Sequence, residues 1–177
     1  MTNQEIIEML KEAEVLLEGH FLLTSGRHSD KYMQCAKIFQ NAKYSVPLCA
    51  ELVEKYKDDE IDVVIGPAIG AIQMSYEVGK QLGVKNIFAE RENGEMTLRR
   101  GFTIEKGQRV LVVEDVVTTG GAIIDGVREL RKKGAIVDTV LCVIQRADKA
   151  TEILAAEDLK LIPAFTMAYI KAQVKEN

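Results

Sequence analysis

Two rhythms alternate along this chain: apolar residues at helical spacing, and short apolar runs bounded by glycine, proline or charge. Over residues 4–17, Ile6, Ile7, Met9, Leu10, Ala13, Leu16 and Leu17 recur at helical intervals, predicting a first helix with Gly19 as its stop. The stretch "HFLLTSGRHSDKYMQC" predicts an extended segment, a polar loop and a second extended segment. A helix is expected over 41–56 with Asn41 as its cap. A short buried strand follows over 61–67, ending in a Gly-Pro turn, then a helix over 71–82 and the strand "KNIFAE". Beyond it the pattern gives a strand over 109–113, a helix over 121–133 and a strand within "AIVDTVLCVIQR". A short helix near 149–156, the strand "LKLIPAF" and the helix "TMAYIKAQV" close the chain. Residues 91–108 break the rhythm; polar, glycine-bearing and long for a connection, they predict a hairpin or a mobile loop.

Alternation of strands and helices from residue 61 onward predicts an α/β fold, a central parallel sheet flanked by helices on both faces. The 177 residues are expected to form one domain. In it, residues 1–60 and the C-terminal end form a small hood over one sheet edge, and 61–165 form the core sheet with its flexible loop 91–108. Ligands of such sheets bind beyond the carboxyl ends of the strands. The polar candidates gather there: 66–70 after one strand, Arg91 after the next, Glu114 and Asp115 after the third, Arg146 after the fourth.

Composition removes several function classes. Hydrophobic residues make up 47% and charged residues 28%, as in a soluble globular protein rather than a disordered one. A net charge of −4 gives no general attraction to nucleic acid or to an anionic membrane. No apolar run reaches membrane-spanning length and the first helix opens with polar residues, so the cytoplasm is the expected compartment. Cys35, Cys49 and Cys142 lack metal-ligand spacing and sit among apolar neighbours, which predicts buried reduced thiols rather than a nucleophile. His20 and His28 are read as local hydrogen-bonding residues.

The chemistry concentrates in "VLVVEDVVTTGG", residues 110–121: an apolar strand, two adjacent acids, and a Thr/Gly turn opening into a helix. Such an arrangement turns backbone N–H groups and a helix start toward an anion, while the carboxylates face whatever carries it. Neither G-x-G-x-x-G nor G-x-x-x-x-G-K-[ST] occurs, so this is neither a dinucleotide fingerprint nor a P-loop. A sugar phosphate, bearing an anion and hydroxyls together, is the ligand that suits both halves.

This motif resembles the phosphoribosyl pyrophosphate (PRPP) site of the type I phosphoribosyltransferases. Together with "FLLTSGRHSDKYMQC", "IGPAIGAI" and "VIQRAD", it is similar to the orotate branch of that family, in the family's order and across nearly the full length. The resemblance implies the type I phosphoribosyltransferase fold and transfer of ribose 5-phosphate from PRPP to orotate, giving orotidine 5′-phosphate and pyrophosphate in pyrimidine biosynthesis. It implies that PRPP is held by Glu114, Asp115, Val116, Val117, Thr118, Thr119, Gly120, Gly121 and Ala122, with the two acids on the ribose hydroxyls and the turn around the 5′-phosphate. Orotate would meet Thr118, Arg146, Lys31 and Tyr32, with Met33 beside them. Asp115, Glu114, Arg91 and Arg99 carry the catalytic expectation, with Arg91, Arg99 and Arg100 clamping pyrophosphate as the loop closes. Mg2+ is the implied cofactor, held mostly by substrate oxygens, and a homodimer the implied assembly.

The chain departs from that family in three places. It has no lysine between Lys85 and Lys106, Ile69-Gly70 stands where a lysine follows the Gly-Pro turn, and Thr24 replaces a lysine before "SGR". Arginines can supply charge in the loop but cannot donate a proton near neutral pH. The rival readings are a purine phosphoribosyltransferase, which shares the phosphate motif, and a non-catalytic regulator that senses PRPP. The Arg146 and "SGRHS" elements weigh against the first, and the acidic charge without a basic stripe against the second.

Overall fold

A computed structural model describes residues 3–22, 28–56 and 60–175, with only the backbone of 16–33. Its first helix, α1 (Asn3–Glu12), is shorter than the sequence predicts, because Leu16 and Leu17 belong to strand β1 (Leu16–Leu22). The cause is local. Glu14 adopts a left-handed φ of 50°, its N–H donates to the Lys11 carbonyl at 3.0 Å, and the Val15 N–H donates to Leu10 at 2.9 Å. These two bonds form a Schellman closure. A glutamate, not a glycine, occupies the left-handed position, so the composition carries no stop signal there.

β1 pairs antiparallel with β2 (His28–Met33), the two extended segments expected around the polar loop; the loop itself, 23–27, lies outside the described residues. A short α2 (Ala36–Phe39) leads into α3 (Ala42–Tyr56), where Asn41 Oδ1 accepts from the Lys43 N–H at 3.0 Å as the predicted cap. Then come β3 (Val63–Pro67), α4 (Ile72–Leu82), β4 (Lys85–Glu92) and β5 (Glu95–Thr97). The chain continues through β6 (Val110–Val117), α5 (Gly121–Lys132), β7 (Thr139–Gln145), α6 (Ala150–Ala155), β8 (Lys160–Thr166) and α7 (Met167–Lys175).

The main sheet has six strands in the order β5-β4-β3-β6-β7-β8, all parallel but for the antiparallel β5. Side-chain alternation sorts the strands into two cores. Val64, Leu111, Val113, Leu141 and Val143 face the layer that contains α1, α3, α4 and α7. Val63, Ile65, Val110, Val112, Val140 and Cys142 face α5 and α6. Helices on both faces explain why β7 is buried along its whole length and reads as an unbroken apolar run. α3 lies on the sheet face, with Leu48, Cys49 and Leu52 fully buried.

Chain order reverses between β3 and β6: β4 lies on one side of β3, while β7 and β8 follow on the far side of β6. Two neighbouring strand ends thus send their connections in opposite directions and leave a crevice between them. β3 pairs with β6 only as far as Ile65 opposite Val112, whereas β6 continues beside β7 to Val117 opposite Gln145. The acids Glu114 and Asp115 therefore sit inside the last stretch of a strand, not after its end as the sequence reading placed them. Support from β7 alone carries β6 past its partner on the other side.

Candidate active site

The segment 66–70 and the β6 acids form the two walls of the crevice. Their cavity, about 340 Å³, is lined by Pro67, Ala68, Gly70, Arg91, Glu114 and Asp115, and runs along α5 beneath Met96 and Leu98 of the hairpin arm. The turn between β3 and α4 is tied down by hydrogen bonds: Ala68 N–H donates to Ala89 at 2.7 Å and Ala71 N–H to Pro67 at 3.2 Å. The peptide between Ala68 and Ile69 is cis.

Burial, a hydrogen bond to the Asp115 side chain and the Asp115 charge together push the Glu114 carboxyl up to about 9. Glu114 therefore keeps its proton at neutral pH, while its Oε1 accepts from the Asp115 N–H at 3.1 Å. Asp115 Oδ1 accepts from the Val116 N–H at 2.8 Å, and the carboxylate lies close against Gly70 on the opposite wall. The Cys35 thiol lies below: burial and the Asp115 charge push it up to about 12, while Arg146 pulls it the other way. Cys49 is likewise raised to about 12, chiefly by burial, and Cys142 is raised further; all three cysteines are buried, as expected of core thiols.

The Thr/Gly turn of the motif is shaped by Gly120. Its φ of 85° is left-handed, and a Cβ there would stand 3.1 Å from Leu154 Cγ, so both backbone and packing require glycine. No side chain caps the start of α5, and Thr118, Thr119, Gly121 and Ala122 around it are exposed. Unshared N–H groups at a helix start, open to solvent beside hydroxyls, are what an anion binds. Val116 and Val117 end β6, and Val117 is buried. Ala122 reaches the cavity wall, whereas Thr118, Thr119, Gly120, Gly121 and Arg146 lie outside it.

Arg146 is exposed at the end of β7, and its N–H donates to the Val117 carbonyl at 2.8 Å. Behind it the buried Gln145 donates from Nε2 to the Ala147 and Asp148 carbonyls, at 3.1 Å each, and to Thr151 Oγ1 at 3.0 Å. This polar residue holds the turn that presents Arg146. Only its place as a lone amide at the end of an apolar run could have singled it out in the sequence. Lys31 and Tyr32 have backbone positions in β2 opposite Glu18 and Leu17; their side chains, and that of Met33, lie outside what is described.

Residues 90–97 form the hairpin that the sequence allowed. Asn93 and Gly94 turn it with φ of 52° and 90°, the pair of positive values a tight two-residue turn demands. Arg91 lines the cavity and donates to the Gly94 carbonyl at 2.6 Å. Arg99 and Arg100 are paired elsewhere: Arg99 with Glu92 at 3.5 Å, and Arg100 bidentately with Glu90 at 2.8 and 2.9 Å. The signal for these pairs was present in "ERENGEMTLRR", where a turn at Asn-Gly folds acids of one arm toward arginines of the other.

The family profile described as "Phosphoribosyl transferase domain" matches residues 36–163. Orotate phosphoribosyltransferase of Pelotomaculum thermopropionicum is 51% identical over 153 residues, covering 86% of this chain and 80% of its own. The crystal structure of orotate phosphoribosyltransferase from Aeropyrum pernix superposes with a TM-score of 0.84 at 27% identity, over 97% of this chain and 99% of that one. That of the Mycobacterium tuberculosis enzyme in complex with 5-phospho-alpha-D-ribosyl 1-diphosphate gives 0.74 at 25% identity, over 93% and 95%. With the profile spanning most of the chain and half of the aligned residues identical in such a relative, the chain belongs to the phosphoribosyltransferase family and, within it, to the orotate phosphoribosyltransferases.

Proposed function

We propose that the crevice between β3 and β6 is where this chain transfers ribose 5-phosphate from PRPP to orotate. The bond from ribose C1′ to pyrophosphate breaks, the bond from C1′ to the orotate ring nitrogen forms, and that nitrogen releases its proton. One observation carries the assignment: a half-buried carboxyl pair at 114–115 and an uncapped, exposed helix start at Gly121 follow one another along the chain, at the point where chain order reverses. The 5′-phosphate binds the N–H groups and hydroxyls of 118–121. The ribose hydroxyls bind Glu114 and Asp115, and charge building on the sugar is stabilised by the same acids. Arg146, planar and exposed at the neighbouring strand end, pairs with the carboxylated pyrimidine beside Thr118, with Lys31 and Tyr32 toward its other side.

Arg91 faces the departing pyrophosphate from the cavity wall. Arg99 joins it by leaving Glu92, an exposed pair worth about 0–1 kcal/mol, so the exchange costs little. Closure of the hairpin arm then excludes water from the activated sugar.

The residues fit Mg2+. Glu114 and Asp115 offer the hard carboxyl oxygens that such an ion takes as ligands. Mg2+ usually takes one or two protein carboxylates and completes its shell with substrate oxygens and water. Glu114 and Asp115 would hold it through the ribose hydroxyls they bind. When bound, it neutralises the leaving pyrophosphate. We further read the protein as a cytoplasmic homodimer. Ile69, 86% exposed beside the crevice, and the exposed Tyr76 support an interface, and no helix among the described residues is long and apolar enough to cross a membrane.

The test is a turnover assay with protein, Mg2+ and PRPP, offering orotate, adenine, guanine or hypoxanthine and following loss of base and release of pyrophosphate. Turnover with orotate is expected. Turnover confined to a purine would replace the orotate assignment, and PRPP binding without turnover on any base would favour the non-catalytic regulator.

A further inference from the structure

Gly70 lies in the turn from β3 to α4, and it is absent from the glycines with positive φ. Its backbone therefore does not call for glycine. Space does: a Cβ at this position would stand 2.8 Å from Asp115 Oδ2, 3.1 Å from Cγ and 3.2 Å from Oδ1. The turn has no room to retreat. Its Ala68 and Ala71 N–H groups are bonded to Ala89 and Pro67, and the Ser75 N–H donates to Ala71 at 2.8 Å. Ala71 is fully buried, and Gly66 already packs so close that a Cβ there would be 2.6 Å from the Ala71 carbonyl oxygen. Facing this anchored turn, the Asp115 carboxylate is steered by bonds from the Val116 N–H at 2.8 Å and from the Glu114 carboxyl. An added methyl would move the carboxylate, not the loop.

We propose that Gly70 is a positioning residue for the transfer reaction. Its missing side chain lets the Asp115 carboxylate lie across the crevice in the orientation that receives the ribose hydroxyls. The same contact bars any side chain at 70 while Asp115 stays in place, so no cation reaches pyrophosphate from this position. That charge falls to Arg91 in the same cavity. The inference rests on the role proposed above for Asp115.

A double-mutant cycle of Gly70→Ala and Asp115→Ala in the full-length protein tests it. The readouts are the PRPP Kd with Mg2+ by calorimetry, KM and kcat with orotate, and the thermal midpoint without ligand. Gly70→Ala alone should weaken PRPP about tenfold or more through the displaced carboxylate while moving the KM for orotate less than about twofold. In the Asp115→Ala background the methyl meets no carboxylate. There Gly70→Ala should shift the PRPP Kd less than about twofold and leave the midpoint level or slightly raised, whereas alone it lowers the midpoint. Equal losses in both backgrounds would overturn the proposal, as would an unchanged Gly70→Ala beside a damaged Asp115→Ala. Where Asp115→Ala binds PRPP too weakly to measure, the cycle in thermal midpoints decides alone. Undiminished PRPP binding by Asp115→Ala would instead remove the role of Asp115 itself, and both readings with it.

Discussion

Replacing Glu114 by Gln should flatten the pH dependence of stability in the metal-free, ligand-free protein. In the folded chain this carboxyl keeps its proton up to about 9, against an ordinary value of 4.5, chiefly because it is buried. Between those values folding takes up a proton. The stabilisation is complete below the ordinary value and is lost as pH rises through the window toward the folded value. The limiting slope is about 1.4 kcal/mol per pH unit, so moving from about pH 6 to about pH 8 removes at most roughly 3 kcal/mol. In a chain of this length each kcal/mol shifts Tm by about 2–4 °C, which makes the loss roughly 5–10 °C. Gln has the shape of the protonated acid and can donate to Asp115, but has no proton to lose. Thermal unfolding of both proteins in EDTA should coincide near pH 5 and separate toward pH 8, with Glu114→Gln the more stable. The raised thiols act only in more alkaline solution and equally in both proteins. Curves that run parallel across the range would refute a proton held at Glu114.

Arg146→Ala should leave Tm unchanged, since the side chain is exposed, and raise the KM for orotate by about tenfold to a hundredfold, the worth of charged hydrogen bonds. Steady-state kinetics varying each substrate would show the effect; an equal loss for PRPP would make Arg146 a structural residue. Gly120→Ala combines a left-handed φ of 85° with a Cβ 3.1 Å from the fully buried Leu154. It should cost about 2–4 kcal/mol and weaken ribose 5-phosphate binding with it. Urea unfolding and calorimetry check both, and a variant as stable as the parent would contradict the strain assigned to this turn.

The line between local and distant causes runs through individual elements. Alternating strands and helices from 61 onward, a hairpin as one of two readings of 91–108, the cap at Asn41 and the acid–Thr–Gly motif were legible, because periodicity, turn chemistry and capping act within a few residues. Burial of the three cysteines followed from their apolar neighbours for the same reason. The end of α1 was not legible: a glutamate takes the left-handed position, and pairing with β2 claims Leu16 and Leu17.

By itself, then, the sequence determined the order of elements and the residue types that could meet a sugar phosphate, since both are written in short-range spacing. Tertiary structure alone decided how far β6 runs, because its last residues are held by β7 after β3 has stopped. It also decided which acid keeps a proton, which arginine faces the cavity while its neighbours pair with glutamates, and why residue 70 has no side chain. Burial, charge proximity and excluded volume depend on segments far apart in the chain, and no local pattern records them.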